Sequence, residues 1–179
     1  MSNGARPPYW ELHIKPMFRL LDEQHMIGSA VPPDRRVDLY DYADVKAKAD
    51  EVLGALQDNF MPPGDEGGPW PAEWVAVFKR WVEKQCPRLD RGDATWVATR
   101  SGPTVTLTAT VKLPKGGDQT WIEPLPYVGT APRFVLYREA VGKGAPVTVT
   151  RNARFEAAPG LDFVIVEDAG GEKKVPIPR

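Results

Sequence analysis

Thr104-Val105-Thr106-Leu107-Thr108-Ala109-Thr110-Val111-Lys112-Leu113 alternates without a break. Val105, Leu107, Ala109, Val111 and Leu113 fall on one side; Thr104, Thr106, Thr108 and Thr110 fall on the other. A period of two in β-branched residues predicts a half-buried strand with a solvated threonine face. Further strand patterns flank it at 95–100, 119–123, 133–138, 147–151, 162–167 and 173–177. Glycine-containing turns separate most of them: Ser101-Gly102-Pro103, Gly116-Gly117-Asp118, Gly142-Lys143-Gly144 and Gly170-Gly171. Short strands at this spacing predict an antiparallel β-sandwich over residues 91–179, immunoglobulin-like in architecture. The cysteine pair of an antibody domain is missing, since Cys86 is the only cysteine.

Toward the N-terminus the period changes to that of a helix. Met17, Phe18, Leu20 and Leu21 form an apolar cluster after Pro16, in a short helix expected to end near Ile27-Gly28. A second helix is expected from the N-cap residue Asp41, with Val45, Ala49, Val52, Leu53 and Leu56 at helical spacing. A third is expected from Pro71 to Cys86, where Trp74, Val77, Phe78, Trp81 and Val82 make an amphipathic stripe opposite Lys79, Arg80, Glu83 and Lys84. The fold class is therefore α+β in two modules: a three-helix bundle over 1–90 and the sandwich over 91–179. Charge changes sign at the same boundary. Residues 1–90 carry 11 Lys/Arg and 15 Asp/Glu, whereas residues 91–179 carry 12 and 9.

A net charge of −1 provides no long-range field to attract nucleic acid or an anionic membrane. One cysteine excludes an intrachain disulfide. The opening residues lack the apolar core of a signal peptide and no stretch approaches the ~20 apolar residues of a membrane span, so the expectation is a soluble, cytoplasmic protein.

Chemistry-bearing residues are few. His13 and His25 are the only histidines, and with Cys86 they give no zinc spacing. No phosphate-binding glycine loop or nucleophile elbow is present. Cys86 stands at a helix end before Pro87, far in sequence from either histidine, which argues against a nucleophile.

Residues 14–87 resemble a short bacterial class I cytochrome c domain. Ile14-Lys15-Pro16-Met17-Phe18 is similar to its first helix, Met61-Pro62-Pro63-Gly64 to its methionine-ligand loop, and Pro71–Cys86 with Trp81-Val82 to its final helix. Where the haem-attachment Cys-x-x-Cys-His should stand, the chain reads Leu21-Asp22-Glu23-Gln24-His25, so the histidine is kept and both cysteines are gone. Covalent haem attachment through two thioethers is chemically excluded. The stretches Asp22–Met26, Asp38-Leu39-Tyr40-Asp41-Tyr42 and Met61-Pro62…Gly68-Pro69-Trp70-Pro71 also resemble a haemless bacterial group of such modules.

The primary expectation from these readings is a non-catalytic accessory or binding protein without cofactor, acting through a protein partner such as an oxidase that it serves as subunit or maturation factor. The loop residues Met61, Pro62, Pro63 and Trp70 are its candidate contact surface, because loops carry function more often than packed elements. The alternative is a metal or redox protein in which His25 and Met61, with Met26 or His13, hold copper or a non-covalent haem; imidazole and thioether together suit Cu(I) or haem iron. The bland reading makes His25 a structural residue and Met61 a core plug. An enzyme would need Asp, Glu and Tyr residues at the module junction that no motif singles out. For the space between His25 and Met61 the expectation is packing by Trp10, Phe18, Trp70 and Trp74.

Overall fold

The computed structural model describes residues 6–28, 31–60, 68–126, 129 and 131–178. The chain divides into two compact units, Met1–Arg88 and Leu89–Arg179.

The first unit is helical. A single π-turn, Trp10–Ile14, runs into a 3-10 turn at Lys15–Met17. Four α-helices follow among the described residues: α1 (Leu20–Ile27), α2 (Tyr42–Ala47), α3 (Ala49–Gln57) and α4 (Ala72–Glu83). The single helix expected after Asp41 is thus two. Asp41 does cap the first, its carboxylate accepting the Asp44 N–H at 2.9 Å. The break falls at Lys48, which leaves helical dihedrals (φ −115°, ψ 23°). Its ammonium is anchored sideways on the carbonyls of Asp34 and Arg36, at 2.9 and 2.7 Å.

Aromatic rings fill the centre of this unit. Trp10, Phe18, Trp70, Phe78 and Trp81 are all buried. Their ring centroids lie 5.3 Å apart for Phe18–Trp70, 5.4 Å for Phe78–Trp81 and 5.8 Å for Trp10–Trp81. Large rings at these separations supply buried area that helices this short would otherwise lack. The stripe of α4 is only partly inward, however. Phe78 and Trp81 are fully buried, whereas Trp74 is 37% exposed and meets the core edge-on through Trp70, at 5.7 Å and 83°. Trp74 sits in the first turn of α4, where the helix reaches the rim of the aromatic cluster.

Helix α4 ends in an uncommon way. Gln85 and Cys86 both have left-handed backbone (φ 65° and 55°), a conformation that costs non-glycine residues free energy. Three hydrogen bonds hold it: Cys86 N–H to the Trp81 carbonyl, Tyr42 Oη–H to the Cys86 carbonyl and Trp81 Nε1–H to the Pro87 carbonyl, each 2.9 Å.

The second unit is built of strands. These are β1 (Asp90–Arg91), β2 (Asp93–Ser101), β3 (Thr104–Leu113), β4 (Gln119–Leu125), β5 (Arg133–Glu139), β6 (Val147–Glu156), β7 (Phe163–Asp168) and β8 (Gly171–Pro176). They form two separate sheets: β2-β3-β6, and a five-stranded sheet in which β5 pairs β4 on one side and β1 and β7 on the other, with β8 beyond β7. Val105, Leu107, Ala109 and Val111 of β3 are completely buried. They meet Phe134 and Leu136 of β5, Val164 and Val166 of β7 and Val175 of β8. The threonines of β3 lie on the opposite face, as the alternation requires.

One pairing departs from the antiparallel expectation: β5 and β7 run parallel, with Arg133 opposite Ile165 and Val135 opposite Glu167. Parallel neighbours need a crossover connection. Here β6 supplies it, leaving for the three-stranded sheet before the chain returns as β7.

Candidate functional site

Helix α1 carries the residues that the sequence singles out, and it is built inside out. Leu20 is 65% exposed, Leu21 46% and Ile27 47%, while Asp22 is fully buried and Glu23 nearly so. Leu20, Gln24 and Ile27 recur at i, i+4, i+7 and line up on the outer face. Asp22, Glu23 and the half-buried Met26 share the inner one. The expected apolar cluster Met17-Phe18-Leu20-Leu21 is thereby corrected, because Phe18 is buried and Met17 packs half-buried on the core, whereas Leu20 and Leu21 face outward.

The reason is hydrogen bonding. Asp22 is the third residue of the helix and its Oδ2 accepts the Arg19 N–H at 2.8 Å, capping the free helix start. The same oxygen accepts Trp70 Nε1–H at 3.3 Å, and Arg19 Nη2 pairs with Oδ1 at 3.0 Å. Arg19 Nη2 also donates to the Gly68 carbonyl at 3.2 Å. One buried carboxylate therefore ties α1 to the chain before α4. Glu23 does the same for the other neighbour: its Oε2 accepts the Leu39 N–H at 2.6 Å. Burial pushes the Glu23 carboxyl above its ordinary range, against the stabilising backbone bond, and the nearby Asp38 and Asp44 carboxylates push it further up.

Among the sequence candidates, His25 and Met26 are half-buried at the end of α1, and Met26 packs on the aromatic core. Met61, Pro62 and Pro63 lie outside the described residues, as does their loop to residue 67. Trp70, expected at a contact surface, is instead a core residue whose indole is committed to Asp22. His13 lies away from His25 in its role, its Nδ1 accepting the Tyr9 N–H at 3.0 Å around the π-turn. Cys86 is buried, and burial pushes its thiol up, away from the reactive thiolate. Among the described residues no group of three or more His, Cys, Asp or Glu side chains is placed to hold a metal ion. None of their helices is long and apolar enough to cross a membrane.

The second unit has its own buried carboxylate. Asp168 accepts Trp96 Nε1–H at 2.8 Å, the Lys173 ammonium at 2.7 Å and the Gly170 N–H at 2.8 Å, so it is fully satisfied and locks the β7–β8 turn to β2. A cavity of about 520 Å³ opens beside the loop before β7, with Glu156 and Asp162 as its ionisable described lining residues. No histidine, cysteine or hydroxyl nucleophile lines it among the described residues.

Buried Asp22 and Glu23 escaped the sequence reading. The available signal was Asp22 at the third position of a helix that starts at Leu20, the place from which a carboxylate reaches back to the chain. No protein-family model, curated protein or solved structure matches this chain.

Proposed function

We propose that the chain is a non-catalytic binding protein, a haemless cytochrome c-like helical module joined to an immunoglobulin-like β-sandwich, and that it works by protein contact through the outer face of α1. The inverted amphipathicity of α1 carries this reading. A helix that buries two carboxylates and turns Leu20, Leu21 and Ile27 outward gains nothing from that apolar face by itself. Grouped exposed apolar side chains mark interaction surfaces on soluble proteins. In the resemblance to cytochrome c, Leu21 and Gln24 stand at the two haem-attachment positions, so the face that would carry the cofactor carries leucine instead. An oxidase that the module serves as subunit or maturation partner is the kind of partner this resemblance implies.

The test is a photo-crosslinking amino acid placed at Leu21 or Ile27, with Lys79 and Glu83 on the charged face of α4 as controls. The expected result in cells of the native host is one partner captured from the α1 positions and not from α4. Equal capture from both faces, or none from α1, would sink the reading. An absorbance scan and metal analysis of the purified chain separates it from the alternative. A spectrum that changes on adding copper or haem, and is lost with His25→Ala, would favour a cofactor site.

A further inference from the structure

We infer that the cavity between the end of β2 and the loop before β7 binds a monocarboxylate with an apolar tail, held by Arg100. Its described walls are Arg100, Gly160, Leu161, Asp162, Ile177 and Pro178, and its volume is about 420 Å³. Small-molecule sites of this size combine mostly apolar walls with a few placed polar groups.

Strand alternation puts the cation there. Ala94, Trp96, Ala98 and Arg100 share one face of β2, and on it Ala94 and Ala98 are buried. Ala98 packs in one core cluster with Val105 and Ile177, and Leu161 packs against that cluster. Arg100 is the next residue on the same face, opposite the fully buried Val105. A half-buried guanidinium therefore stands where the pattern calls for an apolar side chain.

That guanidinium is poorly compensated. Its Nη2 donates to the Leu161 carbonyl at 2.8 Å, while its buried Nε–H has no acceptor among the described residues. Arg91, Arg133 and Arg138 of the other sheet each hold a carboxylate, from Glu167, Glu172 and Asp90. Among the described residues Arg100 holds none, which leaves the Nη1 end of its fork for a ligand. A cation taken partly out of water is costly unless it is paired. The planar fork of arginine matches the two oxygens of a carboxylate.

The other walls narrow the ligand. Leu161, Ile177 and Pro178 offer hydrocarbon, and no second cation lines the cavity among the described residues. A phosphate would bring a second negative charge that stands unpaired beside Asp162. One negative charge with an apolar tail behind it satisfies both the guanidinium and the walls.

Amide chemical-shift titration of the full chain by NMR tests this with hexanoate, its neutral analogue hexanamide, and inorganic phosphate. Hexanoate is expected to shift the amides of Arg100, Leu161 and Ile177 saturably. Hexanamide is expected to bind about tenfold more weakly or worse, the scale of one charge-assisted hydrogen bond. Phosphate is expected to leave these amides unmoved. Arg100→Gln is expected to lose the same factor for hexanoate and nothing for hexanamide. Should that variant fail to fold, the acid–amide comparison on the wild type still decides. N-acetyl-leucine distinguishes the source of the acid: binding tighter than hexanoate supports a peptide C-terminus, and weaker binding supports a free acid. Equal affinity for hexanoate and hexanamide would overturn the proposal. So would phosphate displacing hexanoate, or the absence of saturable shifts at these amides.

Discussion

Helices α1 and α4 belong to the same unit and both carry large apolar residues, yet they use them in opposite directions. In α4 the apolar stripe does what its spacing implies: Phe78 and Trp81 sit at the centre of the aromatic cluster, and Lys79, Arg80 and Glu83 face water. In α1 the leucines face water and the acids face inward. The difference lies in what each helix must satisfy. Helix α4 is long enough to gain from burying one face. Helix α1 has two turns, and its place is fixed by two carboxylates that hold the Arg19, Leu39 and Trp70 N–H groups. Hydrogen bonding positions the short helix and packing positions the long one, which leaves the short helix's apolar face exposed.

Removing the packing side of this contrast should have the largest effect. Trp81→Ala empties a fully buried site that touches Trp10 and Phe78 and also removes the bond to the Pro87 carbonyl. A loss of about 3–5 kcal/mol is expected in denaturant melts. A loss below about 1 kcal/mol would mean that α4 does not anchor the unit.

Asp22→Ala attacks the other side. It strips the cap from α1 and leaves the Trp70 indole N–H and the Arg19 guanidinium without their shared acceptor. The expected cost is about 2–3 kcal/mol, that of a buried charged hydrogen-bond partner. If Asp22→Ala melts like the wild type, the carboxylate does not hold the helix and the contrast with α4 collapses. Trp74→Ala should fall between the two faces of the argument. Half-exposed and edge-on to Trp70, it should cost about 1 kcal/mol, the range of one aromatic pair.

Glu23 gives α1 a pH signature of its own. Its carboxyl titrates above the ordinary glutamate range in the folded chain, through burial first and then Asp38 and Asp44. Between the ordinary value and the raised one, the folded state holds a proton that the unfolded state has released. The stabilisation is then fully present below the unfolded value and is lost as pH rises through the folded one. Denaturant midpoints measured from acid to neutral pH should fall with this sign, and Glu23→Gln should flatten that part of the curve. An unchanged curve in the variant would assign the dependence to other groups.

These pairs also show where the sequence is legible. A ten-residue alternation such as Thr104–Leu113 has one consistent solution, because a shift of one residue would expose Val105, Leu107, Ala109 and Val111 together. All seven expected strands are present, with β1 added as a two-residue piece that alternation is too short to reveal. The parallel β5–β7 pair was hidden because the pattern of one strand says nothing about the direction of a neighbour. Helix α4 was legible except at Trp74, where period alone does not tell how far the core extends. Helix α1 was misread because hydrophobic pattern is a guide only when burial of apolar area decides the orientation. There, contacts to residues 39 and 70 decide it, and these are distant in sequence. The candidate site was legible in place and not in kind: the segment 21–26 was singled out for His25 and Met26, while the structural peculiarity lies in the acids between Leu21 and Gln24.

The smallest effect expected is also the one that gives the comparison its meaning. If the outer face of α1 contributes nothing to the fold of its own unit, Leu20→Ser and Leu21→Ser should each shift stability by no more than about 0.5 kcal/mol, the range of surface substitutions. Two leucines buried in a core would cost several times as much when made polar, so the denaturant midpoint distinguishes the cases directly. A double variant should stay additive, since both side chains are exposed. A double variant that costs more than about 2 kcal/mol would show that the face is covered within the chain, and α1 would then be an ordinary packed helix. With the midpoint unchanged, the leucines are spared from stability, and any loss of crosslinked partner in the same variants reports contact alone.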